Sequence, residues 1–185
     1  MAKYTEIQHR NAWGQWTFFL CGENLCGLKF KSAGNSLANN KIAPSSLQAC
    51  AYASPDTGAQ LRGKAAQTYK KAVAQLSEYL AGKRKEFDLP YEIYGTDFQT
   101  AVWTAVREIP YGETRSYKQI ADSIGHAGAE RAVGNALHQN PLQVIIPCHR
   151  VISNRGKLSG YALGTDIKRR LLCMEGAIQN ELELE

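Results

Sequence analysis

The chain of 185 residues has no run of about 18 consecutive apolar residues, so nothing in it reads as a membrane-spanning helix. Its opening residues, MAKYTEIQHR, lack the apolar stretch of a secretory signal. Cysteine is scarce and unpaired in pattern. The five cysteines (Cys21, Cys26, Cys50, Cys148 and Cys173) are odd in number and irregular in spacing, which argues against a disulfide framework and for a reduced, cytoplasmic setting. Charge of one sign is not concentrated either: 22 Lys and Arg against 17 Asp and Glu leave a formal +5, which suits an anionic partner without requiring one. What is present, 44% hydrophobic and 21% charged residues, is the composition of a globular protein with one good core or two small, uneven domains.

Along the chain, GQWTFFLCGENLCGLKFKS predicts two strands joined at Gly22-Glu23-Asn24. From Lys31 to Gly63 the pattern dissolves into Ser, Asn, Gly and Pro, as in a long irregular connection. AAQTYKKAVAQLSEYLAGK then carries Tyr69, Val73, Leu76 and Leu80 at helical intervals and ends near Gly82. Pro90 and Gly95 punctuate EFDLPYEIYG and mark a boundary. The expected organisation is an α/β domain over 1–90, a mainly α domain over 91–178 and a frayed acidic tail over 179–185.

The second half has a different character. TDFQTAVWTAVREIP places Phe98, Val102, Ala105, Val106 and Ile109 on one helical face and stops at Pro110. SYKQIADSIG opens with a capping box, Ser116 followed by Gln119, and its apolar face is Ile120, Ala121 and Ile124. AERAVGNALHQN supplies a further face through Ala132, Val133, Ala136 and Leu137. Two short helices around a glycine-containing turn suggest a helix-turn-helix. Small residues crowd its second helix: Ala127, Gly128, Ala129, Ala132, Gly134 and Ala136. They suit close packing on neighbouring helices, or approach to a bulky partner such as a DNA backbone with Arg131 projecting.

IIPCHRVIS, from Ile145 to Ser153, sets a thiol, an imidazole and a guanidinium in a row. A free cysteine in an apolar strand is ordinarily buried and inert, and in a strand Cys148 and His149 point to opposite faces. Pro147 makes an ordinary central strand position unsuitable, and His149 and Arg150 are residue types seldom buried without partners. A thiol next to an imidazole becomes a nucleophile when the thiolate is favoured. Downstream, TDIKRRLLCMEG predicts a helix capped by Thr165, with Asp166 in its first turn. Glu175, in the last turn, stands where the helix dipole disfavours a carboxylate. It is either a solvated surface residue or the partner of an imidazole in a Cys–His–Glu relay.

GTDFQTAVW, IPYGETRSY, RAVGNA, NP, IIPCHRVI, GYALG and LLCMEG occur in the order and spacing of the methylated-DNA–protein-cysteine methyltransferases, the O6-alkylguanine-DNA alkyltransferases. The chain resembles that family from about Gly95 to Gly176, PCHR being its most specific element, and LPYEIYGT extends the likeness; the N-terminal half matches in outline only. The resemblance implies a ribonuclease-H-like α/β N-terminal domain and a winged-helix-like C-terminal domain with a helix-turn-helix. It also implies repair of O6-alkylguanine, and of O4-alkylthymine, in double-stranded DNA with the damaged nucleotide flipped out.

By matching positions, Cys148 receives the alkyl group, His149 deprotonates it through a water, and Glu175 orients His149. Asn140 braces the active-site turn, and Tyr117 assists phosphate rotation and donates to the guanine ring. Arg131 fills the place of the flipped base, and Ser116, Ala132 and Gly134 lie with it on the DNA-facing element. Tyr161 walls the guanine pocket, backbone groups of Cys148 and Val151 accept from the exocyclic amine, and the Ala162 N–H meets O6.

A thioether does not leave again under cellular conditions, so the protein is expected to act once, as a monomer and without a cofactor. Two departures from the family pattern carry expectations. Leu163, in Ala162-Leu163-Gly164 where relatives have Ser-Gly-Gly, is expected to narrow the pocket against groups such as benzyl. His126-Ala127 replaces a turn in which proline is common. Zinc, bound in some relatives by N-terminal Cys and His, would have Cys21, Cys26 and His9 as its candidates here and is not expected. Two rivals stay in view: a non-catalytic alkylated-DNA-binding protein and a Cys–His hydrolase or acyltransferase, the latter needing an oxyanion hole that no motif announces. For Arg150 a pinning salt bridge is expected, with its partner unassigned.

Overall fold

The computed structural model describes residues 4–32, 61–153, 158 and 161–178. The chain divides into two compact units, Met1–Gly95 with Pro141–Gln143, and Thr96–Asn140 with Val144–Glu185. Most of the expected irregular connection and the acidic tail lie outside the described residues.

In the first unit an antiparallel sheet runs in the order β1 (Tyr4–Asn11), β2 (Gly14–Cys21), β3 (Asn24–Ser32). The expected hairpin is β2–β3. β1 was not anticipated, because its alternation of Tyr4, Glu6 and Gln8 with Thr5, Ile7 and His9 carries little hydrophobic contrast; it pairs with β2 from Tyr4↔Cys21 to Asn11↔Gly14. One sheet face buries Trp16, Phe18, Leu20, Leu25 and Leu28, and helix α1 (Gly63–Leu80) contributes Leu76 and Tyr79 to the same core. Each such side chain is worth roughly 1.5–3 kcal/mol over leaving it in water. The buried stripe of α1 is Thr68, Ala72, Gln75, Leu76, Tyr79 and Leu80, rotated from the expected one, so Tyr69 and Val73 sit at its margin. Gln75 can be buried because its amide exchanges two hydrogen bonds with the Asp88 backbone, both 2.9 Å.

Cys26 is the extra residue of a bulge between the pairs Leu20↔Leu25 and Phe19↔Gly27. Gly27 is required there, since a Cβ would meet the Phe19 ring at 2.9 Å. The free edge of β3 is covered at both ends: Leu25 exchanges hydrogen bonds with Pro90 O and Glu92 N, and Leu28 with Pro141 O and Gln143 N. Cys21 and Cys26 cluster with Phe19 and Tyr4 on one sheet face, whereas His9, opposite Trp16, points to the other. Those three candidates therefore cannot close around one ion, and no group of three metal-ligating side chains occurs among the described residues.

The second unit contains α2 (Asp97–Arg107), β4 (Arg115–Ser116), α3 (Tyr117–Ser123), α4 (Glu130–His138), a 3-10 turn at Cys148–Arg150, β5 (Val151–Ile152) and α5 (Thr165–Glu175). The sheet-plus-helices architecture is as expected. Both halves of the Ser116–Gln119 capping box form, at 3.1 and 2.7 Å, and Thr96–Gln99 makes another on α2. The core face of α2 includes Trp103, fully buried because its indole N–H donates to Ala136 O on α4 at 2.9 Å. The face expected for this helix omitted it.

α4 buries Val133, Ala136 and Leu137, while Ala132 is exposed rather than part of the apolar face. Ala127, Gly128 and Ala129 precede the helix, in the connection from α3. Thr165 is the first helical residue of α5 and Gly164 its cap, so the expected threonine cap does not form. Among the described residues no helix is long and apolar enough to cross a membrane.

Candidate active site

The strand that made Cys148 and His149 diverge is not there. After Pro147 the backbone closes a single 3-10 turn, with Arg150 N donating to Pro147 O at 2.9 Å and Cys148 N to Ile146 O at 2.8 Å. Val144, just upstream, has φ 74°, a left-handed conformation that costs a β-branched residue on the order of 1–3 kcal/mol. Asn140 holds this turn from inside: its amide donates to Ile146 O at 2.8 Å and to Cys148 Sγ at 3.1 Å. Cys148 is buried, and burial pushes its thiol up, against the Asn140 hydrogen bond and the charge of Lys168, which favour the thiolate. A resting thiol so placed needs a base.

The base candidate is within the same turn. His149 is 0% exposed, and its Nε2 lies 2.7 Å from Glu175 Oε1. Burial pushes the imidazole down, outweighing the neighbouring carboxylate, so the ring is neutral near pH 7. For Glu175 burial acts upward, but the hydrogen bonds from His149 and Arg150 and the charge of Arg150 hold the carboxyl down, at about 2. The partner left unassigned for Arg150 is Glu175: Arg150 Nε donates to Glu175 Oε2 at 2.8 Å and one terminal nitrogen to Oε1 at 3.1 Å, while the other donates to Ile109 O at 2.6 Å. This fork explains how a carboxylate survives in the last turn of α5 against the helix dipole.

Sequence reasoning missed Lys168. It is 1% exposed, and its Nζ donates to Val151 O at 2.6 Å. Burial brings it down to about 8, with Cys148 acting the other way, so it remains largely cationic at neutral pH beside the thiol. The signal was available: Lys168, Leu171, Leu172 and Glu175 are the buried residues of α5, at intervals of three and four. Two charged residues on an otherwise apolar stripe mark a polar interior.

Tyr161 is half-buried, its ring 6.4 Å from that of His149 and 5.9 Å from Lys168 Nζ. Val151 is fully buried, and half-buried Ala162 and Leu163 form a turn just after Tyr161.

A separate cleft of about 470 Å³ is lined by Tyr117, Arg131, Gly134, Asn135, His138 and Ser153. It gathers Arg131 and Gly134, expected on the DNA-facing element, with Tyr117, expected to assist phosphate rotation. Arg131 and Ala132 are exposed on α4, and Ser116 is committed to capping α3. β4 and β5 tie the groups together, since Arg115 and Ser116, just before Tyr117, pair in parallel with Val151 and Ile152, just after the 3-10 turn.

The family model for the 6-O-methylguanine DNA methyltransferase DNA-binding domain matches residues 97–177. The methylated-DNA–protein-cysteine methyltransferase of Methanosarcina acetivorans is 53% identical over 109 residues, 59% of this chain and 70% of its own length. The chain belongs to this family. The Mycobacterium tuberculosis H37Rv family member is 52% identical over 121 residues, 65% of this chain and 68% of its own. The crystal structure of the M. tuberculosis OGT in complex with DNA superposes with a TM-score of 0.72 at 40% identity, covering 95% of this chain and 93% of that one. A Methanococcus jannaschii O6-methylguanine DNA methyltransferase, 24% identical with a TM-score of 0.62, shares the fold.

Proposed function

We propose that this methyltransferase-family protein repairs double-stranded DNA by transferring the alkyl group of O6-alkylguanine, and of O4-alkylthymine, irreversibly to Cys148. The observation that carries the reading is a buried thiol held by Asn140 in the same turn as a neutral imidazole whose far nitrogen meets an ionised Glu175. His149 takes the thiol proton through a water, and Sγ attacks the alkyl carbon. A C–S bond forms as the C–O bond breaks, and the electron pair stays on the guanine oxygen. Tyr117 supplies the hydrogen bond or proton that the departing base needs. The product is a thioether, so each molecule acts once.

Arg131, exposed beside the cleft, occupies the place of the flipped base, with Ser116, Ala132 and Gly134 along the same DNA-facing surface. Tyr161 walls the base pocket, the carbonyls of Cys148 and Val151 accept from the exocyclic amine, and the Ala162 N–H meets O6. Residues 91–178 form the DNA-binding and acceptor domain, winged-helix-like in its helix-turn-helix and short β4–β5 pairing. Residues 1–90 form a supporting domain whose antiparallel sheet and helix fit a ribonuclease-H-like unit. The protein works in the cytoplasm as a monomer, without metal or cofactor.

Intact-mass spectrometry after mixing with an O6-methylguanine duplex tests the reading: one added methyl, mapped to Cys148, and no turnover are expected. Tight binding with unchanged mass overturns it in favour of a non-catalytic alkylated-DNA-binding protein.

A further inference from the structure

Glu175 is surrounded by donors. Its Oε1 faces His149 Nε2 at 2.7 Å and a terminal nitrogen of Arg150 at 3.1 Å. Its Oε2 accepts from Arg150 Nε at 2.8 Å and from the Gly112 N–H at 3.3 Å. Arg150 is fixed on its other side by Ile109 O at 2.6 Å, and its guanidinium lies 5.7 Å from the centre of the Tyr111 ring. Tyr111 in turn donates from its hydroxyl to Met174 O at 3.1 Å, next to Glu175. The Ile109–Gly112 turn thus grips both ends of the ion pair. Gly112 makes the approach possible: its φ is 82°, and a Cβ would lie 3.0 Å from Glu175 O.

An ionised carboxylate can only accept hydrogen bonds. Surrounded in this way, Glu175 has no position for a proton of its own, so the contact with His149 has one polarity. The imidazole must carry its proton on Nε2, which leaves Nδ1 as the basic nitrogen. A protonated Glu175 would permit the reverse, with the ring proton on Nδ1 and no base available.

We propose that Arg150, seated on the Ile109–Gly112 turn, is a positioning residue that sets the His149 tautomer by keeping Glu175 an obligate acceptor. This rests on the alkyl-transfer reading for its kinetic consequence, but the tautomer itself does not. Arg150 touches no reacting atom; it acts through Glu175, and its charge also disfavours the imidazolium of His149 directly.

The test compares the wild-type protein with Arg150→Met, which removes both the charge and the fork, in single-turnover methyl transfer from an O6-methylguanine duplex and in 15N NMR of the His149 ring. Wild type should show the Nε2–H tautomer near pH 7. In Arg150→Met the ring should become a mixture of tautomers and the maximal transfer rate should fall about 100-fold, the worth of a well-placed general base. The duplex concentration giving half the maximal rate should not change, and the acid limb of the rate profile should move to higher pH. An unaltered tautomer and rate in a folded Arg150→Met overturns the proposal. So does an Nδ1–H tautomer in wild type, a result that needs no variant to fold. Failure of wild type to accept methyl at all instead sinks the alkyl-transfer reading, with the tautomer measured independently.

Discussion

The two units treat charge in opposite ways. In the first, ion pairs lie at the surface, among them Lys71–Asp88, Arg84–Glu78 and Lys64–Glu23, and the interior is aromatic and aliphatic. In the second, His149, Arg150, Lys168 and Glu175 are all 6% exposed or less. Burying an ion pair is a poor route to stability, because desolvation offsets the attraction. A cluster of four such groups within one short turn and one helix is therefore better understood as chemistry than as architecture, while the first unit is architecture with little chemistry.

The contrast can be broken most sharply at the sulfur. Cys148→Ala should abolish methyl transfer, read by intact mass, while duplex binding, read by fluorescence anisotropy, stays near the wild-type value. Glu175→Gln should come next. It strips Arg150 of its anionic partner and should destabilise the fold by about 3–5 kcal/mol in chemical denaturation, besides slowing transfer. Its pH signature has a definite sign. With the carboxyl at about 2 folded and near 4.5 unfolded, the unfolded chain binds more protons between those values. Stability is then complete above about pH 4.5 and is lost as pH falls towards 2. Glu175→Gln should remove this pH dependence.

Arg131→Ala, on the exposed face of α4, should lower transfer from duplex DNA by about 10-fold, roughly one lost charged contact, and leave reaction with free O6-methylguanine largely intact. An equal loss with the free base would mean that Arg131 belongs to the buried cluster. The smallest effect is expected in the first unit. Lys71→Ala removes an exposed pair and should leave the denaturation midpoint unchanged within error, with transfer unchanged; a clear loss of stability would erase the contrast between the units.

Much of the second unit was legible because its signals are local. The Ser116–Gln119 capping box, the helix ending before Pro110 and the Glu175–His149 pairing all declare themselves within a few residues or through a motif. What escaped depends on distant partners. Trp103 is a core residue because Ala136 O receives its N–H, and Gln75 is buried because the Asp88 backbone satisfies it. β1 has too little hydrophobic contrast to be read without the strand that it pairs with. Helical spacing groups Ala132 with Val133, Ala136 and Leu137 on the apolar face, yet the turn of α4 carries it to the outside. Lys168 shows the converse: a charged residue on an apolar stripe was a visible signal, but its reason, the Val151 carbonyl and the thiol, lies in another part of the chain.

The covered edge of β3 has a consequence for solubility. Backbone groups on an unprotected strand edge are a template on which another chain can extend the sheet, the first step of fibril growth and domain exchange. With Tyr91 and Leu142 bridged to β3, that route is blocked on one side of the sheet. On the other side stands β1, whose outward edge has no partner strand among the described residues, and which carries Glu6, His9 and Arg10 in place of an unbroken apolar run. The poor hydrophobic contrast that hid β1 in the sequence is also what makes it an unattractive surface for a second molecule to zip onto.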